Sequence, residues 1–200
     1  MAVRDWLRMF IGSGSDAKPD AALSPQVARP AMTRPIKNAA IAYAVRLSGR
    51  VIDQPEAMEF YLAAFADHPN QFVTYDDLRR RGDLLDKEAL KAIGLHANVK
   101  LSAQFLATLN ESGRADPLAA ACAIGSAISN ALSTLRDLSN MDAAGIAQAR
   151  LNASVAAAGP CNAAAQMEGQ IIQVSDAPIL PLATCSHPGQ CACFYQSWLR

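Results

Sequence analysis

The uneven distribution of cysteine is the feature that most constrains this fold. Five cysteines occur in 200 residues, and four of them lie in the last forty residues. With one histidine among them, they follow the spacing C-x23-C-x-H-x3-C-x-C. A segment this short has too little apolar surface for a stable core of its own, so a metal or disulfide cross-link is expected. The sequence therefore predicts a cross-linked unit at residues 159–200, the cysteine-rich tail.

Zinc is the cross-link that this set of side chains favours. A structural zinc ion binds four ligands in a tetrahedron and prefers thiolates. We therefore expect Cys161, Cys185, Cys191 and Cys193 to bind zinc, with His187 replacing any cysteine that is not a ligand. A site closed by four protein ligands has no position for a substrate water, so its role would be structural.

Two alternatives to zinc remain open. Disulfides need an oxidising compartment, and Cys191 and Cys193 are too close together to bond to each other comfortably. They can instead pair separately with Cys161 and Cys185. The third alternative is that the thiols pack together without a metal. The spacing lacks the C-x2-C pairs that mark many zinc sites, so it does not decide among the three.

The residues between these cysteines predict little regular structure. The β-branched residues within 169–174 indicate a short strand, and residues 178–182 indicate an extended connector. Pro188-Gly189 predicts a tight turn that brings Cys185 near Cys191. Apolar and aromatic side chains at the end of the chain are expected to cover the site: Phe194, Tyr195, Trp198 and Leu199.

The tail also carries a pattern that resembles a known module. It reads Cys161-Asn162-Ala163-Ala164-Ala165, Gly169, Ala177-Pro178-Ile179-Leu180-Pro181-Leu182, Cys185 and Cys191-Ala192-Cys193-Phe194-Tyr195. This is similar to the C-terminal cysteine-rich module of small uncharacterised proteobacterial proteins, written C…A-P-x-L-P-L…C…C-x-C. The resemblance implies a shared module and brings no established activity with it.

Residues 33–158 predict a helical body. Thr74, Asp86, and Asn98 or Ser102 are candidate helix caps, and Gly113 is a candidate stop. Asp116-Pro117 marks the start of the longest helix, in which apolar residues recur every three or four positions as far as Leu138. Cys122 lies within this apolar series, so it is expected to be a buried free thiol.

The remainder of the body is also expected to be helical. Ser139 or Asn140 is expected to cap a last helix whose inward residues are Ile146, Leu151 and Val155. No comparable strand pattern occurs before residue 169. The predicted class is therefore all-α, an irregular multi-helix bundle with a small cysteine-rich α+β tail.

One stretch of the body resembles the tellurite-resistance TerB-like helical domain. The residues are Ile41-Ala42-Tyr43-Ala44-Val45-Arg46-Leu47-Ser48-Gly49-Arg50-Val51, with Glu56 downstream. Ser48 stands where that family usually has an acid before the glycine. The resemblance implies a helical fold only.

The start of the chain predicts an amphipathic helix on a flexible linker. Residues 1–11 place Val3, Trp6, Leu7, Phe10 and Ile11 on one helical face, and residues 12–32 are rich in Gly, Pro, Ser and Ala. This face is expected to dock on a protein partner or a membrane surface; a helix packed back on its own domain is the alternative.

The charge balance and the apolar pattern argue against several classes of function and location. Lys plus Arg and Asp plus Glu are both 18, and a chain without excess positive charge is not expected to bind nucleic acid through bulk charge. Charged residues interrupt the first ten positions, so no secretory signal is predicted and a cytoplasmic location is expected. No apolar run is expected to reach the ~20 residues of a membrane span.

The sequence contains no phosphate-binding glycine loop, no G-x-S-x-G and no H-E-x-x-H. The leading hypothesis is a non-enzymatic bacterial interaction or regulatory protein with a structural zinc site. The alternatives are a thiol-based redox protein that uses the C-x-C pair, with exposed acidic thiols at Cys191 or Cys193, and a phage or particle component.

Overall fold

The structure, a computed structural model, describes residues 33–67, 73–153 and 159–199. This part of the chain is mostly helical, with a small three-stranded antiparallel sheet. The all-α class is therefore correct only in part. The predicted docking helix at residues 1–11 and the linker at 12–32 lie outside the described residues.

Eight helices and three strands make up the described chain. The helices are α1 (Arg34–Leu47), α2 (Pro55–Ala66), α3 (Tyr75–Arg80), α4 (Lys87–Ala92), α5 (Ala103–Thr108), α6 (Glu111–Ala115), α7 (Pro117–Ala143) and α8 (Asn162–Met167). The strands are β1 (Gln148–Asn152), β2 (Ile171–Gln173) and β3 (Phe194–Ser197), with one turn of 3₁₀ helix at Pro188–Gln190.

The described residues form two compact units. The helical unit contains residues 40–129 together with Pro188–Gln190. The tail unit contains residues 33–39, 130–187 and 191–199, so it takes in β1 and the C-terminal part of α7 as well as the cysteine-rich segment.

Short polar side chains start four of the helices as the sequence predicts. Each accepts a hydrogen bond from a backbone N–H in the first helical turn: Thr74 from Asp77, Asp86 from Ala89, Ser102 from Phe105 and Asp116 from Ala119. These bonds satisfy donors that a helix leaves free at its start. The boundaries were predictable because capping is a local interaction.

Gly113 does not end a helix, contrary to the prediction. It lies inside α6, a short helix that Asn110 caps through a hydrogen bond from the Gly113 backbone N–H. A Cβ atom at this position would lie 2.4 Å from the carbonyl oxygen of Arg50. The glycine is therefore required by the close approach of another segment, which the local sequence does not reveal.

In the helical unit, the buried face of α1 differs from the predicted one. The periodicity predicts Ile36, Ala40, Tyr43, Ala44 and Leu47, whereas the buried residues are Ala40, Ile41, Ala44 and Val45. The buried face is shifted by about one residue from the predicted one, because tertiary packing decides which apolar side chains of the helix are buried. The largest fully buried side chains of this unit include Tyr61, Phe105 and Leu101.

Helix α7 starts at Pro117 as predicted but extends to Ala143, so Ser139 and Asn140 lie inside it and cap nothing. Its buried series includes Ile124, Ile128 and Leu135. Cys122 is exposed, which corrects the prediction of a buried thiol.

Length and composition would allow α7 to cross a membrane, in contrast to the expectation that no apolar run is long enough. In the most apolar 18-residue stretch of this helix, 44% is buried inside the structure. The core helix of a globular domain can have the same length and apolar composition. These two properties are therefore weak support for a membrane span.

The predicted last helix of the body is wrong, because residues 148–152 form strand β1. Polar and apolar residues alternate in Gln-Ala-Arg-Leu-Asn, and Ala149 and Leu151 are the buried ones. This period of two is the signature of a half-buried strand. The strand at residues 171–173 confirms the prediction of a short strand within 169–174.

Strand β1 lies in the middle of the sheet and pairs antiparallel with β2 and β3. Arg150 lies opposite Ile171 on one side and opposite Gln196 on the other. The other face of the sheet contributes to the tail unit's core, which contains Leu138, Ala149, Leu151, Cys161, Ala164, Val174, Ala177, Leu180, Leu182, Cys193 and Tyr195.

Candidate metal centre

The structure brings the four tail cysteines together, and we call Cys161, Cys185, Cys191 and Cys193 the thiol cluster. Cys161 and Cys193 belong to the buried core of the tail unit, and Cys185 and Cys191 pack against it half-buried. Interactions between the side chains connect Cys161 with Cys185, Cys185 with Cys191, and Cys191 with Cys193. Residues up to 32 positions apart in the chain thus form one cluster.

Each thiol is positioned by a different local feature. Cys161 immediately precedes α8, and Cys193 immediately precedes β3. The backbone N–H of Cys185 donates to the carbonyl of Leu182 at 2.9 Å, which holds a turn. Cys191 follows the predicted Pro188-Gly189 turn, which takes the form of a 3₁₀ helix.

Backbone N–H groups donate to three of the four sulfurs. The Ala164 N–H donates to Cys161 Sγ at 3.4 Å. The N–H of His187 donates to the Cys185 sulfur, and that of Cys193 to the Cys191 sulfur. Donors aimed at sulfur stabilise a thiolate relative to a thiol, and ligands of bound metals are commonly oriented by such bonds.

Two thiols of the cluster, those of Cys185 and Cys191, are held in the neutral form. Burial raises the pKa of Cys191 to about 12, and it also raises the pKa of Cys185. The hydrogen bonds from the backbone oppose this effect but are smaller than it. A neutral thiol is a poor nucleophile, so these cysteines lack the exposed acidic character that a reactive redox thiol requires.

His187 is placed differently from the cysteines. Its imidazole is exposed, and its Nδ1 lies 2.9 Å from the hydroxyl of Ser186. Its backbone, rather than its ring, contributes to the cluster through the hydrogen bond to Cys185.

The cluster is not closed around an ion as it stands. Over residues 33–67, 73–153 and 159–199, no group of three or more His, Cys, Asp or Glu side chains has an arrangement that could hold a metal. All five cysteines of the chain fall in these ranges, and none of them forms a disulfide. Binding of a tetrahedral ion would therefore require the four sulfurs to converge further.

A helix residue that the sequence pattern does not indicate also contacts this site. The side-chain amide of Asn130, in α7, donates to the backbone carbonyl of Cys191. Nothing in the sequence around Asn130 marks this role, since the two residues are 61 positions apart.

The residues expected to cover the site divide into two groups. Tyr195 is buried, and its hydroxyl donates to the carbonyl of Pro178 at 3.0 Å. Phe194 and Leu199 are exposed, at 55% and 75% of their surface, so they do not cover the cluster.

The resemblances of the tail and of α1 to known groups stay predictions, because the chain matches no protein-family model, no curated protein and no solved structure.

Proposed function

We propose that the chain is a non-enzymatic bacterial interaction or regulatory protein whose thiol cluster binds one structural zinc ion in the cytoplasm. The observation that carries the proposal is the convergence of Cys161, Cys185, Cys191 and Cys193, with backbone N–H groups directed at three of the sulfurs. Four thiolates are a ligand set that zinc prefers over harder cations.

Zinc would offset the cost of a small core. Besides the C-terminal part of α7 and the start of α1, the tail unit contains three short strands and one six-residue helix, and the segments carrying the cysteines have little regular structure to hold them. An ion bound by residues before α8, after the Leu182 turn and before β3 would fix these segments relative to one another. Metal binding of this kind contributes directly to folding free energy.

The redox alternative has less support. It calls for acidic, accessible thiols at Cys191 or Cys193, whereas Cys193 is 9% exposed and the pKa of Cys191 is raised. Zinc binding would also leave no free thiolate for exchange chemistry.

Native mass spectrometry combined with elemental analysis tests the proposal. Protein made in zinc-containing medium should carry one zinc ion per chain. Cys161→Ser should lose the ion, while Cys122→Ser, which alters a cysteine outside the cluster, should keep it. A wild-type chain without metal whose mass is four hydrogens lower than expected would establish two disulfides instead. Metal-free protein with four intact thiols would establish simple thiol packing, and large defined assemblies would favour a particle component.

A further inference from the structure

One face of the three-stranded sheet has a cation at its centre and no acidic side chain of its own. Side chains alternate between the two faces of a strand. The strand register, together with the hydrogen bond from the Trp198 N–H to the Gln148 carbonyl, places these residues together on the face opposite the core: Gln148, Arg150, Asn152, Ile171, Gln173, Phe194, Gln196 and Trp198. We call these eight residues the open sheet face.

Arg150 is held in place without a counter-charge. Its guanidinium lies across Gly169, where a Cβ atom would be 3.5 Å from Nη2 and 3.7 Å from Nε. Among the described residues Arg150 forms no ion pair. Glu168, which directly precedes Gly169, instead accepts a hydrogen bond from the backbone N–H of Ala153.

Two donors on this face lack acceptors. Arg150 Nε and Trp198 Nε1 are the buried side-chain polar atoms of the described chain that have no hydrogen-bond partner. Trp198 lies one residue beyond the end of β3, and its backbone N–H donates to the carbonyl of Gln148, so it is a diagonal neighbour of Arg150. Neither atom has an acceptor within the described chain, and an unsatisfied buried donor costs about 1–3 kcal/mol.

Apolar side chains flank the charge on both sides. Ile171 on β2 is 44% exposed and Phe194 on β3 is 55% exposed. A ligand for this face must therefore combine a negative charge with apolar groups a few ångströms away. An extended peptide meets this requirement, because its side chains have the spacing of a strand.

We propose that the open sheet face binds an acidic peptide segment of a partner protein, with a carboxylate of the peptide on the Arg150 guanidinium and apolar side chains against Ile171 and Phe194. This names the partner surface for the interaction role proposed above and rests on that role. A guanidinium and a carboxylate form two parallel charge-assisted hydrogen bonds, which gives this pairing its selectivity.

A fluorescein-labelled peptide of alternating Glu and Leu, titrated with full-length protein, tests the proposal through fluorescence anisotropy. Binding should saturate, weaken as salt rises, and be much weaker for the matching peptide of Gln and Leu. Arg150→Gln should weaken binding by about tenfold or more, since a hydrogen bond to a charged group is worth about 1.5–3 kcal/mol. Arg136→Gln, which removes one charge from an exposed α7 residue, should bind as wild type does.

Equal binding by Arg150→Gln and wild type, or no saturable binding, would overturn the proposal. So would a dimer in sedimentation velocity that Arg150→Gln dissociates, because the face would then bind a second copy. If Arg150→Gln does not fold, Phe194→Ala removes an exposed side chain of the same face and should weaken binding in a folded protein. Zinc content measured on the same samples separates the two proposals: peptide binding without zinc refutes only the metal, and zinc without peptide binding refutes only this surface.

Discussion

The side-chain amide of Asn130 donates a hydrogen bond to the backbone carbonyl of Cys191. This bond ties the long helix α7 to the segment that carries the C-x-C pair. The carbonyl has no partner within a helix or strand there, because Cys191 lies between a 3₁₀ turn and β3. The amide therefore fixes the position of a proposed ligand from outside the ligand set.

Loss of this amide should weaken the tail unit. Asn130→Ala should lower the free energy of unfolding by about 1 kcal/mol and zinc affinity by about tenfold, because the Cys191 carbonyl loses its partner. Urea denaturation and competition with a zinc chelator measure the two effects. Asn140→Ala alters an exposed asparagine of the same helix and should change neither quantity. If both variants have the same stability and the same zinc affinity, Asn130 does not support the proposed metal site.

Thiol reactivity should separate Cys122 from the thiol cluster. Cys122 is exposed on α7, whereas the cluster cysteines are buried or half-buried. In native protein, one thiol should react quickly with iodoacetamide, and peptide mapping should identify it as Cys122. Addition of a strong zinc chelator should make the other four accessible and therefore reactive, because loss of the ion destabilises the tail structure that buries them. Fast labelling of Cys193 before chelation would contradict this arrangement.

The buried hydroxyl of Tyr61 should make stability depend on alkaline pH. It lies 2.8 Å from Thr108 Oγ1, whose own proton is donated to the carbonyl of Phe105, so Tyr61 is the donor. Burial raises the pKa of Tyr61 well above its ordinary value of 10.0. The unfolded chain therefore loses this proton first, so the contribution is fully present below pH 10 and declines as pH rises beyond it.

The variant Tyr61→Phe tests the predicted loss of stability at alkaline pH. The variant should be less stable than wild type by about 1 kcal/mol at neutral pH, because it lacks the hydrogen bond. The difference should shrink above pH 10, where wild type loses the Tyr61 contribution. Tyr75→Phe, at a tyrosine that is 48% exposed, provides the control and should show a small difference at every pH. Thermal denaturation across pH values compares all three proteins.

Gly113 should not tolerate alanine even though alanine favours helices. The added Cβ would lie 2.4 Å from the carbonyl oxygen of Arg50 and 3.1 Å from Cβ of Leu109, so backbone must move. We expect Gly113→Ala to lower the free energy of unfolding by about 2 kcal/mol, which outweighs the ~1 kcal/mol gain in helix propensity. Arg114→Ala, at the next and exposed position, should be close to neutral. Chemical denaturation of both variants and of wild type measures the free energies of unfolding to be compared.

Local sequence signals located most of the helix starts. Thr74, Asp86 and Asp116 each accept from an N–H three residues ahead, so the signal and its effect lie in one turn of chain. The alternation in residues 148–152 is also a local signal, and it contradicts the helix predicted there. The strand forms there because β2 and β3 supply its hydrogen bonds from distant parts of the chain.

The sequence by itself determined that four cysteines share one tail and that they are the best candidates there for metal ligands. Only the tertiary structure decided which groups surround those thiols and which face of the sheet stays open. Asn130 reaches Cys191, and Arg150 lies over Gly169, across separations of 61 and 19 residues. Contacts of this kind depend on packing between segments, and no pattern within either segment encodes them.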